Sequence, residues 1–219
     1  MPHYMIHTCK QREWYVQQYL VPSLLEQGIP KRAVKVRLDK DEIGCLESKM
    51  KSFQSCLLPG GTWHLQDDII ISDDFAEMTD VYDYGIVCGI ATAYDKDRKN
   101  VKGLTDIYNM WYSFPCIRIP NRLAVGCGDW FYADLYNNPV YKDLVHSRKR
   151  DDEVFRMYIE TVHKDVTVVN LSPNIVDHVD YLIGGSTVNQ KRTKDARALY
   201  FSDTYKIKEL ENMLKKNNA

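Results

Sequence analysis

Thr62-Trp63-His64-Leu65-Gln66-Asp67-Asp68-Ile69-Ile70-Ile71 is a β-rich run with two adjacent carboxylates near its middle. Its apolar and β-branched side chains predict a buried strand. An unpaired charge at the end of such a strand is costly, so Asp67 and Asp68 require partners. In an open α/β sheet the carboxyl ends of the strands face the ligand crevice. Acids placed there most simply hold a hard divalent cation, which in turn neutralises phosphate oxygens. The same pair also suits the cap of a turn, or pairing with surface lysines.

Working outward, the flanking segments alternate between strand and helix patterns. Residues 4–8 are a short apolar run, and residues 13–27 carry Trp14, Tyr19, Leu20, Leu24 and Leu25 near helical spacing. Gly28 and Pro30 stop that helix. Residues 33–38 alternate Val34, Val36 and Leu38 with Lys35 and Arg37, a strand with one wet face. Residues 44–57 read as helix, broken by Pro59-Gly60-Gly61. Ser72-Asp73-Asp74 reads as a cap before a helix over 75–81, and residues 84–91 are a continuous apolar strand. This β-α-β-α-β-α-β order predicts a mostly parallel, doubly wound, Rossmann-like sheet flanked by helices.

The second half is less regular. Residues 94–103 form a charged loop, and residues 111–119 are aromatic and apolar, closed by Pro120. Residues 122–136 read as helix despite Gly126 and Gly128. Residues 151–162 open with three acids, which suit a helix N-terminus, and residues 166–170 form a strand. One domain over residues 1–195 with a helical tail over 196–219 is the expected organisation.

Composition sets the outer limits. Across 219 residues, 44% are hydrophobic and 27% charged, which excludes wholesale disorder. Thirty acidic against twenty-nine basic residues give a net charge of -1, so a nucleic-acid or membrane partner would have to be met by a local patch. No apolar run is long enough to span a bilayer. The N-terminus lacks the pattern of a signal peptide, and the six scattered cysteines read as reduced thiols. The expected location is the cytoplasm.

The segment from Trp63 to Phe75 resembles the acidic DxD region of GT-A glycosyltransferases, where an apolar strand ends in an acid-rich triplet before a short helix. Other segments resemble that family in the same order. Residues 4–12, a strand leading to Arg12, are similar to the first nucleotide-binding turn, with His7, Thr8 and Arg12 as donor contacts. Asp39 after Val36-Arg37-Leu38 falls where these enzymes often recognise the nucleoside. Arg150-Asp151-Asp152-Glu153 resembles the downstream acidic motif that supplies the base in inverting members. The segment from Pro173 to Val179 resembles the late one that carries a histidine, here His178, near the metal or diphosphate. The triplet itself departs from the family, because Gln66 replaces the first acid while Asp67 and Asp68 remain. A glutamine still hydrogen-bonds a ribose or sugar hydroxyl. The overall texture resembles small bacteriophage glycosyltransferases.

The resemblance implies an inverting, metal-dependent hexosyltransferase using a nucleotide sugar, with a UDP-linked hexose such as UDP-glucose expected. Asp68 and His178 would bind Mn2+ or Mg2+, and Gln66 and Asp67 would position the donor. Asp152 would act as base, with Asp151 the alternate; simple helix-start electrostatics is the competing reading of both. Trp111, Arg118, Arg148 and Lys149 are expected on the acceptor side. The favoured acceptor is a hydroxymethylated pyrimidine in double-stranded phage DNA, gripped through the basic clusters at 96–99, 146–150 and 191–197. A glycan or protein hydroxyl is the alternative acceptor. A non-catalytic nucleotide- or nucleic-acid-binding module is the alternative class.

Overall fold

A computed structural model describes residues 1–57, 59–80, 85–90, 105–106, 114–147, 150–166, 168–171, 173–184, 198 and 201–217. Strands β1 (His3–Cys9), β2 (Val34–Asp39) and β3 (Gly61–Gln66) pair in parallel, with Ile6 opposite both Val36 and Leu65. Between β1 and β2, helix α1 (Glu13–Tyr15) continues through a π-helical turn (Val16–Leu20) into α2 (Val21–Glu26). Helix α3 (Cys45–Gln54) connects β2 to β3. The alternating pattern of the first 66 residues thus becomes helices packed on a parallel sheet, as a strand–helix–strand repeat requires.

The long apolar run does not stay in one strand. It breaks at Asp67 and Asp68, and Ile69–Ile71 forms a separate strand, β4. The Asp68 carbonyl accepts from the Val179 N–H at 2.8 Å, and the Tyr15 hydroxyl donates to the Ile69 carbonyl at 2.8 Å. Both bonds pull the chain out of the main sheet, so β4 pairs antiparallel with β9 (Val176–His178), placing Ile69 opposite His178. Helix α4 (Phe75–Asp80) follows β4, close to its expected place.

The main sheet has the order β2-β1-β3-β7-β5-β8-β6, with β5 at Ile86–Cys88, β6 at Thr105–Asp106, β7 at Cys116–Pro120 and β8 at Val168–Asn170. Strand β7 lies antiparallel between β3 and β5, and β6 is antiparallel to β8, while β5 and β8 pair in parallel. The chain is therefore α/β with a mostly parallel sheet flanked by helices, as the strand–helix alternation predicts, with β7 and β6 as its antiparallel members.

Side chains alternate across this sheet, so each face has its own core. Tyr4, Ile6, Trp63, Leu65 and Val87 pack toward α1, α2, α4 and the β4–β9 ribbon. Met5, Ile86, Cys88, Ile117 and Ile119 pack toward α3, α5 (Asn121–Trp130) and α7 (Asp151–Val162). Helices α3 and α5 approach closely because Gly128 has no side chain: a Cβ there would lie 2.9 Å from the Met50 carbonyl oxygen. Helix α6 (Lys142–His146) precedes α7, and α8 (Asp180–Ile183) follows β9. The C-terminal tail is helical as expected: α9 spans Thr204–Asn217. It is no detached appendage, for Ile207 and Leu210 are buried in the first core. Among the described residues no helix is long and apolar enough to cross a membrane.

Candidate metal centre and cleft

Parallel pairing brings the carboxyl ends of β1, β2 and β3 to one edge of the sheet. Cys9, Asp39 and Gln66 there open into a cleft of about 620 Å³. This is the crevice position expected of an open α/β sheet.

One wall is built around Arg12, in the turn after β1. Arg12 is only 5% exposed. Nη1 donates to Asp67 Oδ1 at 2.9 Å and to Asp68 Oδ2 at 2.5 Å, Nη2 contacts Asp180, and Nε donates to the Gly184 carbonyl at 3.0 Å. Asp67 also accepts from the Cys9 N–H at 3.2 Å. Asp68 Oδ1 faces His178 Nε2 at 3.1 Å, but off the line of a hydrogen bond, so neither buried atom has a hydrogen-bond partner. Asp68, His178 and Asp180 each offer a ligand atom, all within 4.8 Å of one another. This buried Asp-His-Asp group can hold a metal ion.

The electrostatics of this wall follow from burial and its few partners. Burial alone would raise the pKa of Asp68, yet His178 and Arg12 outweigh it and hold the carboxyl far below its usual range. Asp67 moves upward, driven by burial and then by the charge on Asp68, against the pull of Arg12. Burial would lower His178, but Asp68 raises it above its ordinary value.

The opposite wall is the start of α7. Arg150 adopts a left-handed conformation (φ 63°) that turns the chain into the helix, an uncommon choice for a residue other than glycine, asparagine or aspartate. Asp151 is paired with Lys49 Nζ at 2.9 Å. Lys49 is 2% exposed and lies 4.5 Å from the centre of the Phe114 ring. Cys45 sits beside Asp151, and burial followed by that charge pushes its thiol up to about 12. Asp152 shares the cleft, its Oδ1 accepting from the Glu153 N–H at 2.9 Å. Burial and the neighbouring Asp151 raise its pKa.

His7 lines the cleft and is backed by a second, fully buried histidine. His7 Nε2 and His64 Nδ1 are 3.0 Å apart with the rings stacked, and Phe53 closes over His64 edge-on. Burial, followed by the charge of Lys49, pushes His64 down to about 3 and His7 well below its ordinary value. Both rings are therefore neutral near pH 7.

The structure brings most of the sequence-selected residues together. His7, Thr8, Arg12, Asp39, Gln66, Asp67, Asp68, Asp151, Asp152 and His178 all line this cleft. Asp39 has a local duty as well, since its carboxylate accepts from the Ile43 and Gly44 N–H groups and shapes the turn into α3. Arg118 is separated from the cleft. It pairs with Trp63 toward the amino-terminal half of β3, and its guanidinium lies against Gly61 and donates to the Gly85 carbonyl. An acceptor contact from Arg118 is therefore not supported by its position in the sheet. Trp111, Arg148 and Lys149 lie outside the described residues, as do the basic segments 96–99 and 191–197.

Sequence reasoning missed Lys49 and Asp180. Lys49 carried a readable signal, because it sits one turn from both Leu46 and Phe53 on the apolar face of α3. A lysine in such a stripe needs a buried partner. Asp180 had no signal, since its role depends on Arg12, 168 positions away. No protein-family model matches the chain, and no curated protein matches it.

Proposed function

We propose that the protein is a metal-dependent glycosyltransferase that moves a hexose from a nucleotide diphosphate sugar, UDP-linked in the first instance, to a hydroxyl acceptor with inversion. The observation that carries this reading is the pairing of two acidic walls across one strand-end cleft. One wall offers ligands for a cation, and the other offers a carboxylate whose pKa is raised toward that of a base.

The donor atoms fit a divalent cation. Two carboxylates and one imidazole suit Mn2+ better than the all-oxygen preference of Mg2+. The unpartnered Asp68 Oδ1 and His178 Nε2 would be satisfied by such an ion. A bound cation would act as a Lewis acid on the diphosphate as the glycosidic bond breaks. The remaining work falls to the chain. Asp68, His178 and Asp180 would hold the ion, while Gln66, Asp67 and Thr8 would border the donor. Asp152 accepts the proton of the attacking hydroxyl, for which its raised pKa suits it. Asp151 is committed to Lys49, which favours Asp152 as the base. The GT-A relation rests on this cleft together with the DxD-like segment.

The test is a screen of sugar nucleotides with Mn2+, with hydroxymethylated double-stranded DNA as first acceptor and a saccharide as second. Transfer with inverted anomeric configuration, abolished by chelation, is expected. Donor turnover that is indifferent to chelation, or a retained configuration, overturns the reading.

A further inference from the structure

We infer that Arg12 is an exchangeable counter-cation of the acid cluster, occupying its carboxylates until a divalent ion displaces it from Asp68 and Asp180. This rests on the metal reading given above. The geometry that carries it is the sharing of ligands. Asp68 and Asp180 belong to the group able to hold a metal, and both are in contact with the same guanidinium. Asp67, which Nη1 also contacts at 2.9 Å, is outside that group.

Charge balance points the same way. Three carboxylates meet one guanidinium, so Arg12 alone does not match their formal charge. A divalent cation supplies the missing countercharge. It cannot do so quietly, because an ion bound by Asp68 and Asp180 lies beside a guanidinium held by the same two side chains. At such separations and in so buried a setting, like charges repel strongly. The lowest-cost relief keeps the Arg12–Asp67 pair and releases the other two contacts. The freed N–H groups then border the cleft, where the paired oxygens of a diphosphate match a guanidinium fork. Cation and diphosphate thus favour one another through Arg12. A fixed structural arginine would couple neither.

The experiment is Mn2+ binding to the full chain, followed by electron paramagnetic resonance without any nucleotide. Arg12→Met should bind Mn2+ roughly tenfold or more tightly than the wild type, since a competing charge is removed. Addition of a nucleoside diphosphate should tighten Mn2+ binding to the wild type and do so far less in Arg12→Met. A folded Arg12→Met that binds Mn2+ no more tightly than wild type overturns the inference while leaving the metal site standing. Absence of Mn2+ uptake by both proteins overturns the metal reading and this inference together. Should Arg12→Met fail to fold, the wild type still decides. With arginine labelled by 15N, saturating Mg2+ should shift the Arg12 Nε–H resonance, and an unmoved resonance in the metal-loaded protein overturns the exchange.

Discussion

The two walls of the cleft use the same ingredients in different proportions. Around Arg12, three carboxylates and a histidine surround one guanidinium. At the start of α7, two carboxylates meet one buried lysine, and Lys49 pairs with Asp151. In the first wall carboxylates outnumber the guanidinium three to one, a setting that attracts a doubly charged cation. The second is left with one carboxylate, Asp152, held upward in pKa by burial and by its neighbour, a setting that attracts a proton. The residue types alone do not separate these roles. The count of charges within reach of each buried base does.

Replacing Asp68 attacks the first wall and should have the largest effect. Asp68→Asn keeps the shape but removes the charge shared by Arg12 and the metal ligands, so Mn2+ uptake should fall below detection by electron paramagnetic resonance. Transfer should vanish with it. Undiminished Mn2+ binding by this variant would move the metal elsewhere.

Asp152→Asn tests the second wall. Its kcat should drop by about two or more orders of magnitude, while Mn2+ affinity and donor KM stay within a few-fold of wild type. A loss of metal affinity instead would mean that the two walls act as one site. An equal loss of kcat in Asp151→Asn alone, with Asp152→Asn active, would shift the base by one residue.

The Lys49–Asp151 pair separates stability from chemistry. Lys49→Met strands a buried carboxylate, and breaking such a pair costs on the order of 3–5 kcal/mol, read as a lowered midpoint in urea. Lys49→Met combined with Asp151→Leu should recover most of that loss, because paired removal leaves no orphan charge. If the double variant is no more stable than the single one, the pair is not what anchors α3 to α7.

The smallest expected effect is a pH slope from the histidine pair. His7 and His64 titrate lower in the folded protein than in the unfolded chain, where histidine lies near 6.5. Their contribution is complete above pH 6.5 and is lost as pH falls, by about 1.4 kcal/mol per pH unit for each ring. His178 shifts the other way, so its contribution is present below pH 6.5 and lost as pH rises through its raised value. Thermal midpoints of the apo protein should therefore peak near pH 6.5. His64→Phe should flatten the acid side between about pH 6.5 and 4, and an unchanged slope would mean that other groups set it.

Much of the frame was legible because it rests on local periodicity. The alternation of Val34, Val36 and Leu38 marks β2, and the acids at Asp151–Glu153 mark the first turn of α7. What was not legible depends on distant partners. The apolar run through Ile71 reads as one strand until Val179 and Tyr15 are seen to draw Asp68 and Ile69 out of the sheet. Strand direction was hidden too, since β7 reaches its place through a long connection and carries no mark of being antiparallel. Cleft residues at strand ends, such as Thr8 and Gln66, could be found from topology alone. Arg118 could not be excluded that way, because a charged residue on an aromatic, apolar segment gives no hint of which end of the sheet it faces.

The reach of Arg12 across 168 positions to Asp180 also has a consequence for how the chain is made. Arg12, Asp67 and Asp68 leave the ribosome early and can pair with one another, but must wait for the segment that carries His178 and Asp180. Helix α9 arrives later still, and its Tyr205 and Lys206 fasten the turn at Asp73, just beyond β4. The acid cluster is thus a product of the finished chain. A nascent protein halted before α8 would hold a nearly complete β1–β3 layer without the Asp180 member of the Asp68–His178–Asp180 group.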